Sequence, residues 1–296
     1  MPELPDIEAY RAALAPRVVD QVVNDLRVFS PFFVRTVAPA LELAAGCRVT
    51  EVRRLGKRVV LCLDNECFIV IHLMIAGRLR WLESGRQGPA RISLAQFDFP
   101  RGRLVVTEAG KKKRASLHVV HGEAALRALD RGGIEVLDAD RETFIAAIRR
   151  ENHALKRALT DPRILSGIGN AYSDEILHAA RLSPLLWTAK MSDEQANRLH
   201  EAARHVLTDW TDRLREMFRG RFPGAGDITA FRDGFAAHGR FSKPCPTCGT
   251  AIQRIRYADK ETNYCPRCQT GGRLLADRSL SRLLRDDRPK HVDDLD

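Results

Sequence analysis

No stretch of this sequence approaches about 18 consecutive apolar residues, so nothing in it reads as a membrane-spanning helix. A basic segment running into an apolar one is also missing at the start, where Glu3 and Asp6 stand instead. The reading is therefore a soluble, cytosolic chain without a cleaved leader. There is no internal repeat, which sets aside solenoids and propellers. Acidic residues are in short supply: 38 Asp plus Glu face 48 Lys plus Arg, a net charge of +10. That balance points to an acidic partner, a long polyanion ahead of an anionic membrane surface. An even cysteine count is lacking as well. Of the seven, four fall in two close pairs near the C-terminus, while Cys47, Cys62 and Cys67 lie in apolar, strand-like surroundings and read as core. What is present is a folding composition: 296 residues, 44% hydrophobic and 29% charged, enough for one large or two modest domains without disulfide staples.

From Cys47 to about Val120 the pattern is β. Short β-branched runs such as Arg58 to Leu63 and Cys67 to His72 are separated by turn residues, here Asp64, Asn65 and Glu66, which reads as a sandwich or barrel. A short amphipathic helix precedes it from near Pro5, with Ile7, Tyr10 and Leu14 on one face. After Gly122 the period becomes helical. A long segment from Asp193 to Phe218 carries a stripe of Leu199, Ala203, Val206, Trp210, Leu214 and Met217, opened by a Ser192/Gln195 capping box. The expected fold is α+β: a β-sandwich domain over 1–122, a helical domain over 131–225, a four-cysteine module over 236–272 and a tail over 273–296. The end of that tail, from Asp286 to Asp296, is charged and reads as frayed.

Cys245-Pro-Thr-Cys248 and Cys265-Pro-Arg-Cys268 are two C-x-x-C knuckles with residues 249 to 264 between them, the length of a hairpin that brings both pairs to one tetrahedral ion. Four thiolate ligands leave no open coordination position, so the expected cofactor is one structural zinc. Gly167-Ile-Gly169-Asn170 places a glycine-rich turn directly before a helix start, a phosphate-binding geometry as well as an ordinary helix-capped turn. Lys111-Lys112-Lys113-Arg114 sits between two strand-like segments and reads as a basic hairpin tip, either a solvated loop or a phosphate contact. His72, on its own, reads as a core histidine. Removal of Met1 before Pro2 would leave a secondary amine, and an α-amino group, with a reference pKa near 7.7 to 8, is partly neutral and nucleophilic at pH 7. Glu3 beside it could shuttle protons.

Taken in order, Pro2-Glu3-Leu4-Pro5, Gly56-Lys57, His72-Leu-Met-Ile-Ala-Gly77, Gly167-Ile-Gly-Asn170 and a four-cysteine finger ending in Cys268-Gln269 resemble the formamidopyrimidine-DNA glycosylase and endonuclease VIII family of base-excision repair enzymes. The resemblance implies an N-terminal β-sandwich, a helix-two-turn-helix domain and a zinc finger, with DNA bound in the cleft between. It implies a bifunctional DNA glycosylase and abasic-site lyase acting on double-stranded DNA with damaged bases or abasic sites, as a monomer in the bacterial cytoplasm at the nucleoid. Pro2 would attack C1′, Glu3 would assist sugar ring opening, Asp6 would join the catalytic set, and Lys57 would contact phosphate and assist elimination. His72, Lys156, Asn170 and Lys260 would contact DNA. Ile75, with Lys111 and Lys112, would stand where the family fills the void left by the flipped base. This chemistry requires neither a redox cofactor nor a catalytic metal.

The sequence also departs from the family pattern. Asp6 replaces the usual Glu, one methylene longer. Lys260 stands where the finger usually carries an Arg, keeping the charge but not the two-pronged phosphate contact. The purine-repair branch fills the void with a Met, an Arg and a Phe, where this chain has Ile75 and the Thr107 to Leu117 segment. The competing class is a non-enzymatic zinc-finger protein that binds DNA or RNA or senses damage. Such a protein needs none of Pro2, Glu3 and Lys57.

Overall fold

The computed structural model describes residues 1–86, 88–257, 260–275 and 289–294, the side chains of 257 and 260 excepted. The chain divides into two compact units, one of Met1–Arg131 with Trp210–Ala230 and one of Gly132–Asp209 with Phe231–Asp296. Among the described residues no helix is long and apolar enough to cross a membrane.

The first unit opens on helix α1 (Leu4–Val18). Ile7, Tyr10, Leu14 and Val18, all fully buried, recur at helical spacing along one face. Two four-stranded antiparallel sheets follow. One has the order β1-β6-β7-β5, formed by Asp25–Val28, Ser93–Phe99, Gly102–Glu108 and Gly77–Leu82. The other has the order β2-β3-β4-β8, formed by Val49–Leu55, Arg58–Leu63, Cys67–His72 and Ser116–His121. The sandwich expectation holds, and β1 is a strand that the Cys47-to-Val120 reading did not include. Its alternation is shallow, since its residues are half-buried or exposed.

Strand periodicity sorts the second sheet into two faces. Val59, Leu61, Ile69, Ile71, Leu117 and Val119 share the main core with α1 and the first sheet. Val60, Cys62, Phe68, Val70 and Val120 face the other way, against Leu126 of helix α2 (Glu123–Arg127). By the same parity Arg58, His72 and His118 lie on that outer face, Arg58 opposite His72 and Val70 opposite His118.

The basic segment is not a hairpin tip. β7 pairs with β5 and β6 while β8 pairs with β4, so residues 109–115 cross from one sheet to the other. The buried Glu108 organises the crossing: its carboxylate accepts from the backbone N–H of Arg114 (2.9 Å) and Ala115 (3.2 Å), and its carbonyl accepts from Lys113 Nζ. Lys111 and Lys112 remain exposed.

The second unit carries helices α3 (Arg141–Arg149), α4 (Leu155–Thr160) and α5 (Asn170–Ala179) and the start of α6 (Asp193–Met217). The Ser192/Gln195 capping box forms reciprocally, at 3.0 and 3.2 Å. At the far end of α6 the expected stripe fails: Met217 is 52% exposed, and Phe218, one residue on, is buried. The knuckles flank a β9–β10 hairpin (Gln253–Tyr257 and Lys260–Tyr264), followed by α7 (Pro266–Thr270). Of the end expected to fray, residues 286–288 and 295–296 lie outside the described residues. Residues 289–294 are held: Leu274 N–H donates to Lys290 O at 2.9 Å and Val292 N–H to Gly272 O at 2.8 Å.

Candidate active site and zinc centre

The extreme N-terminus is fixed by its own helix start. Glu3 is the N-cap of α1 in extended conformation, its side chain accepts from the Asp6 backbone, and Asp6 Oδ2 accepts from Glu3 N–H at 2.8 Å. Pro5 sits in the first turn, where no intrahelical N–H is needed. Pro2, Glu3 and Asp6 are all buried, so the box holds the chain entry rigid below the amine. In the full chain that amine belongs to Met1. Burial pushes it below the usual α-amine value; Glu3 pulls it back up, Arg78 pushes it down, and Asp6 and Lys57 act more weakly in these same two senses. The Glu, the Asp and the two cations thus surround the terminus.

Lys57 is delivered by the two-residue Gly56-Lys57 turn between β2 and β3, where Leu55 pairs with Arg58 and Gly56 takes φ 59°, the left-handed conformation such a hairpin asks of its first residue. The turn is braced by Arg54, whose guanidinium donates to Gly56 O (3.2 Å) and to Glu8 Oε1 (3.0 Å). Glu8 is also bound by Arg11 at 2.7 Å and Arg215 at 3.0 Å. Burial pushes the Glu8 carboxyl up, but the hydrogen bonds and charges of Arg11 and Arg54 outweigh it and hold the group below its ordinary range. A depressed carboxylate stabilises the fold above its unfolded pKa and loses that contribution as pH falls through the folded value. Glu8→Gln should lower stability at pH 7 by about 2 kcal/mol, since the amide removes the charge that binds Arg11, Arg54 and Arg215. Urea midpoints of the two proteins should draw together as pH falls below the ordinary Glu range toward the lowered folded value; a gap that does not narrow in acid would count against this.

His72 closes β4 beside Arg58 and Ser116. Burial, then the charges of Arg58 and Lys57, lowers its pKa to about 4, so at neutral pH it offers a hydrogen bond and not a charge. Directly after it Leu73–Gly77 makes a tight turn: Gly77 N–H donates to Leu73 O at 2.9 Å, and a Cβ at Gly77 would stand 2.2 Å from that oxygen. Met74 takes φ 54°, and Ile75 is turned out, 57% exposed. A Cβ at Gly110 would lie 3.3 Å from the Ala76 side chain, so the turn carrying Ile75 and the loop carrying Lys111 and Lys112 are neighbours.

In the second unit Lys156 and Asn170, fourteen residues apart, come together. Lys156 Nζ donates to Asn170 O at 2.7 Å and to Asp174 Oδ1 at 2.5 Å, and Asn170 Nδ2 donates to Glu261 O of β10 at 2.9 Å. Asn170 is the first residue of α5, at the positive end of the helix dipole. The backbone of Lys260 opens β10 beside this contact; its side chain lies outside the described residues. Sequence reading missed Asp174 and Glu175, although both fall inside the Gly167-to-Ile176 motif. Glu175 Oε1 and Oε2 accept from the backbone N–H groups of Ala236, Ala237 and His238 at 2.7 to 2.9 Å. The one local signal was the spacing of Asp174, four residues after Asn170 and so on one helix face with it.

The four sulfurs of Cys245, Cys248, Cys265 and Cys268 all lie within 4.8 Å of one another. Cys248–Cys265 and Cys245–Cys268 are at 3.4 and 4.0 Å, against the S···S edge of about 3.8 Å that a tetrahedral zinc with 2.3 Å bonds requires. A soft, all-thiolate, four-coordinate set fits zinc, and the site is a structural zinc centre. His178 Nε2 stands 3.2 Å from Cys245 Sγ, and Cys268 N–H donates to Cys265 Sγ at 3.4 Å. Such donors orient and stabilise bound thiolates. Gln269 fastens the second knuckle: Cys265 N–H donates to its Oε1 at 2.8 Å, and its Nε2 donates to Leu182 O at 2.9 Å.

Three family models match in chain order: the formamidopyrimidine-DNA glycosylase N-terminal domain over residues 1–119, the formamidopyrimidine-DNA glycosylase H2TH domain over 134–213, and the zinc finger found in FPG and IleRS over 242–271. Sandwich, helix-two-turn-helix and finger together define the class of DNA glycosylases of base excision repair. Formamidopyrimidine-DNA glycosylase of Chloroflexus aurantiacus is 34% identical over 274 residues, covering 91% of this chain and 98% of that protein. Its counterpart in Heliobacterium modesticaldum is 33% identical over 277 residues, covering 91% and 100%. An uncharacterized formamidopyrimidine-DNA glycosylase-like protein of Mycobacterium tuberculosis is 40% identical over 153 residues, 52% of this chain and 94% of that one. The chain belongs to the formamidopyrimidine-DNA glycosylase family. Solved structures share the fold: the Lactococcus lactis enzyme with abasic-site DNA (TM-score 0.80, 22% identity, 90% of this chain and 99% of that one) and MutM with DNA containing carbocyclic 8-oxo-G (0.80, 22%, 91% and 100%).

Proposed function

We propose that this protein is a bifunctional glycosylase and abasic-site lyase that removes oxidised bases from duplex DNA through the amine of Pro2. The observation that carries the reading is the N-terminus itself: Pro2 is buried directly before Glu3, which the α1 capping box holds fixed, and the charges of Arg78 and Lys57 act at this end of the chain. Once Met1 is removed, the neutral Pro2 nitrogen attacks C1′. The C1′–N bond to the base breaks, the base leaves with a proton, and Glu3 protonates the ring oxygen as the sugar opens. The resulting iminium acidifies the 2′ proton. Its loss expels the 3′ phosphate from C3′, and a second elimination can expel the 5′ phosphate, with Lys57 placed to hold phosphate charge. Water then hydrolyses the imine and frees the amine.

Lys156, Asn170, Lys260 and neutral His72 hold backbone phosphates in this reading, and Ile75 with Lys111 and Lys112 enters the vacated stack. Asp6 acts through Glu3, by fixing the backbone on which it stands. The protein works in the cytoplasm on damaged double-stranded DNA.

The same residues bear on the substrate. In the purine-repair branch an Arg reads the orphaned cytosine, a contact worth about 1–3 kcal/mol. Here the loop over Thr107–Leu117 has no Phe, and Glu108 folds it back on itself. The Asp227–Gly239 segment, shorter than that branch's base-capping loop, has three backbone donors already committed to Glu175. 8-Oxoguanine should therefore be cut slowly and with little dependence on the opposite base, and ring-opened purines, hydantoins or oxidised pyrimidines faster. Single-turnover rates on 8-oxoguanine opposite C, A, G and T, beside thymine glycol and a hydantoin, check this; fast, cytosine-selective removal of 8-oxoguanine would overturn it.

A further inference from the structure

Lys156 reaches its place through a residue that no phosphate would touch. We propose that Asp174 is the positioning residue of the phosphate site, a buried carboxylate that aims the Lys156 ammonium and ties it to the zinc finger; this rests on the reading of Lys156 and Asn170 as phosphate binders. The Asp174 side chain is fully buried, and Lys156 keeps 13% of its own exposed. One carboxylate oxygen lies 2.5 Å from Lys156 Nζ. The other lies 2.7 Å from His238 Nδ1 and accepts from the backbone N–H of Asn263 in β10 at 3.2 Å. Asn263 in turn takes the Gly239 N–H on its Oδ1 at 2.7 Å and donates to Glu261 Oε1 at 2.9 Å.

The geometry has a direct consequence for the lysine. An ammonium has three donors. Two are directed inward, to Asn170 O and Asp174 Oδ1, which leaves the third for the exposed side. A lysine otherwise moves about four flexible bonds, and fixing it on binding would cost about 1.5–2 kcal/mol of side-chain entropy; Asp174 fixes it beforehand. The carboxylate also joins α5, the segment before the finger and β10 at one point. Asn170 joins α5 to β10 on its own, through its bond to Glu261 O.

A purely structural ion pair would predict lower stability when Asp174 is changed, and no more. Positioning predicts loss of one phosphate contact. The test uses the zinc-loaded, full-length protein and a duplex containing a tetrahydrofuran abasic analogue, with the dissociation constant measured across a range of salt concentrations. Asp174→Asn and Lys156→Met should each weaken binding about tenfold and lower the salt slope by about 1, as the loss of one phosphate contact requires. The double variant should bind no worse than Lys156→Met alone, because both changes remove the same contact. That comparison also holds if Asp174→Asn alone is unfolded, since the double variant removes both buried charges together. Normal affinity and slope in Asp174→Asn, or additive losses in the double variant, would overturn the proposal. A Lys156→Met protein with unchanged affinity and slope would remove the underlying reading of Lys156 as well.

Discussion

A version of this protein whose Pro2 amine is blocked by an added residue should give no borohydride-trapped adduct with abasic-site DNA, while binding the same DNA within a few-fold of normal. The imine that borohydride reduces needs a nitrogen lone pair at the terminus, and a peptide bond at Pro2 has none to give. Cleavage should fall by about a thousandfold or more, the scale of removing a covalent nucleophile. Binding should survive because the proposed phosphate contacts come from Lys57, Lys156, Asn170 and Lys260. The surroundings of the terminus add a pH expectation. In the full chain, burial and the Arg78 and Lys57 charges outweigh Glu3 and Asp6 and lower the Met1 amine; Pro2, buried beside the same groups, should be shifted in the same direction once Met1 is removed. The trapping rate should accordingly rise at lower pH than the amine of a free peptide beginning with Pro would allow, and Arg78→Gln should move that rise to higher pH. Unaltered trapping with a blocked terminus would take Pro2 out of the mechanism.

What could be read in the sequence was what is local. The two knuckles, the Gly167-to-Asn170 turn, the Ser192 cap and the β3–β4 hairpin each rest on spacing within a few residues, and the fold keeps all of them. What could not be read depends on pairings between distant segments. The segment 111–114 lies between two strands and so resembles a hairpin tip; that β7 and β8 belong to different sheets is a property of the whole sandwich. Glu8 gives no sign in the sequence of the three arginines it gathers, one of them more than 200 residues away. Met217 fits the α6 stripe by period, yet the buried position at that end falls to Phe218, which packs in the main core. His178, His238 and Asn263 were invisible for the same reason: each matters through one partner, Cys245 or Asp174, brought to it only by the fold.

Removing zinc should disable DNA binding without unfolding the β-sandwich. The finger matched by its family model spans residues 242–271, far below the size at which a hydrophobic core alone sustains a fold. Its buried cluster is Ile252 with Cys245 and Cys265, and Cys268 packs against it, so most of its core consists of metal ligands. In such a module metal binding is the folding free energy, about 10–16 kcal/mol for zinc-finger peptides at pH 7. Without the ion, four sulfurs within 4.8 Å have nothing to hold them, and the β9–β10 hairpin loses its base. The anchors that reach β10 would then go too: Asn170 to Glu261 O, and Asn263 to Asp174. Cys265→Ser, or treatment with a strong chelator, should lower affinity for an abasic-analogue duplex by about a hundredfold near 0.15 M salt, the scale of two or three lost phosphate contacts. The salt slope should fall with it. Metal analysis should find one zinc per chain in the native protein and none in the variant. A native protein without zinc, or a Cys265→Ser protein that binds and cuts damaged DNA normally, would show that the finger does not depend on its metal.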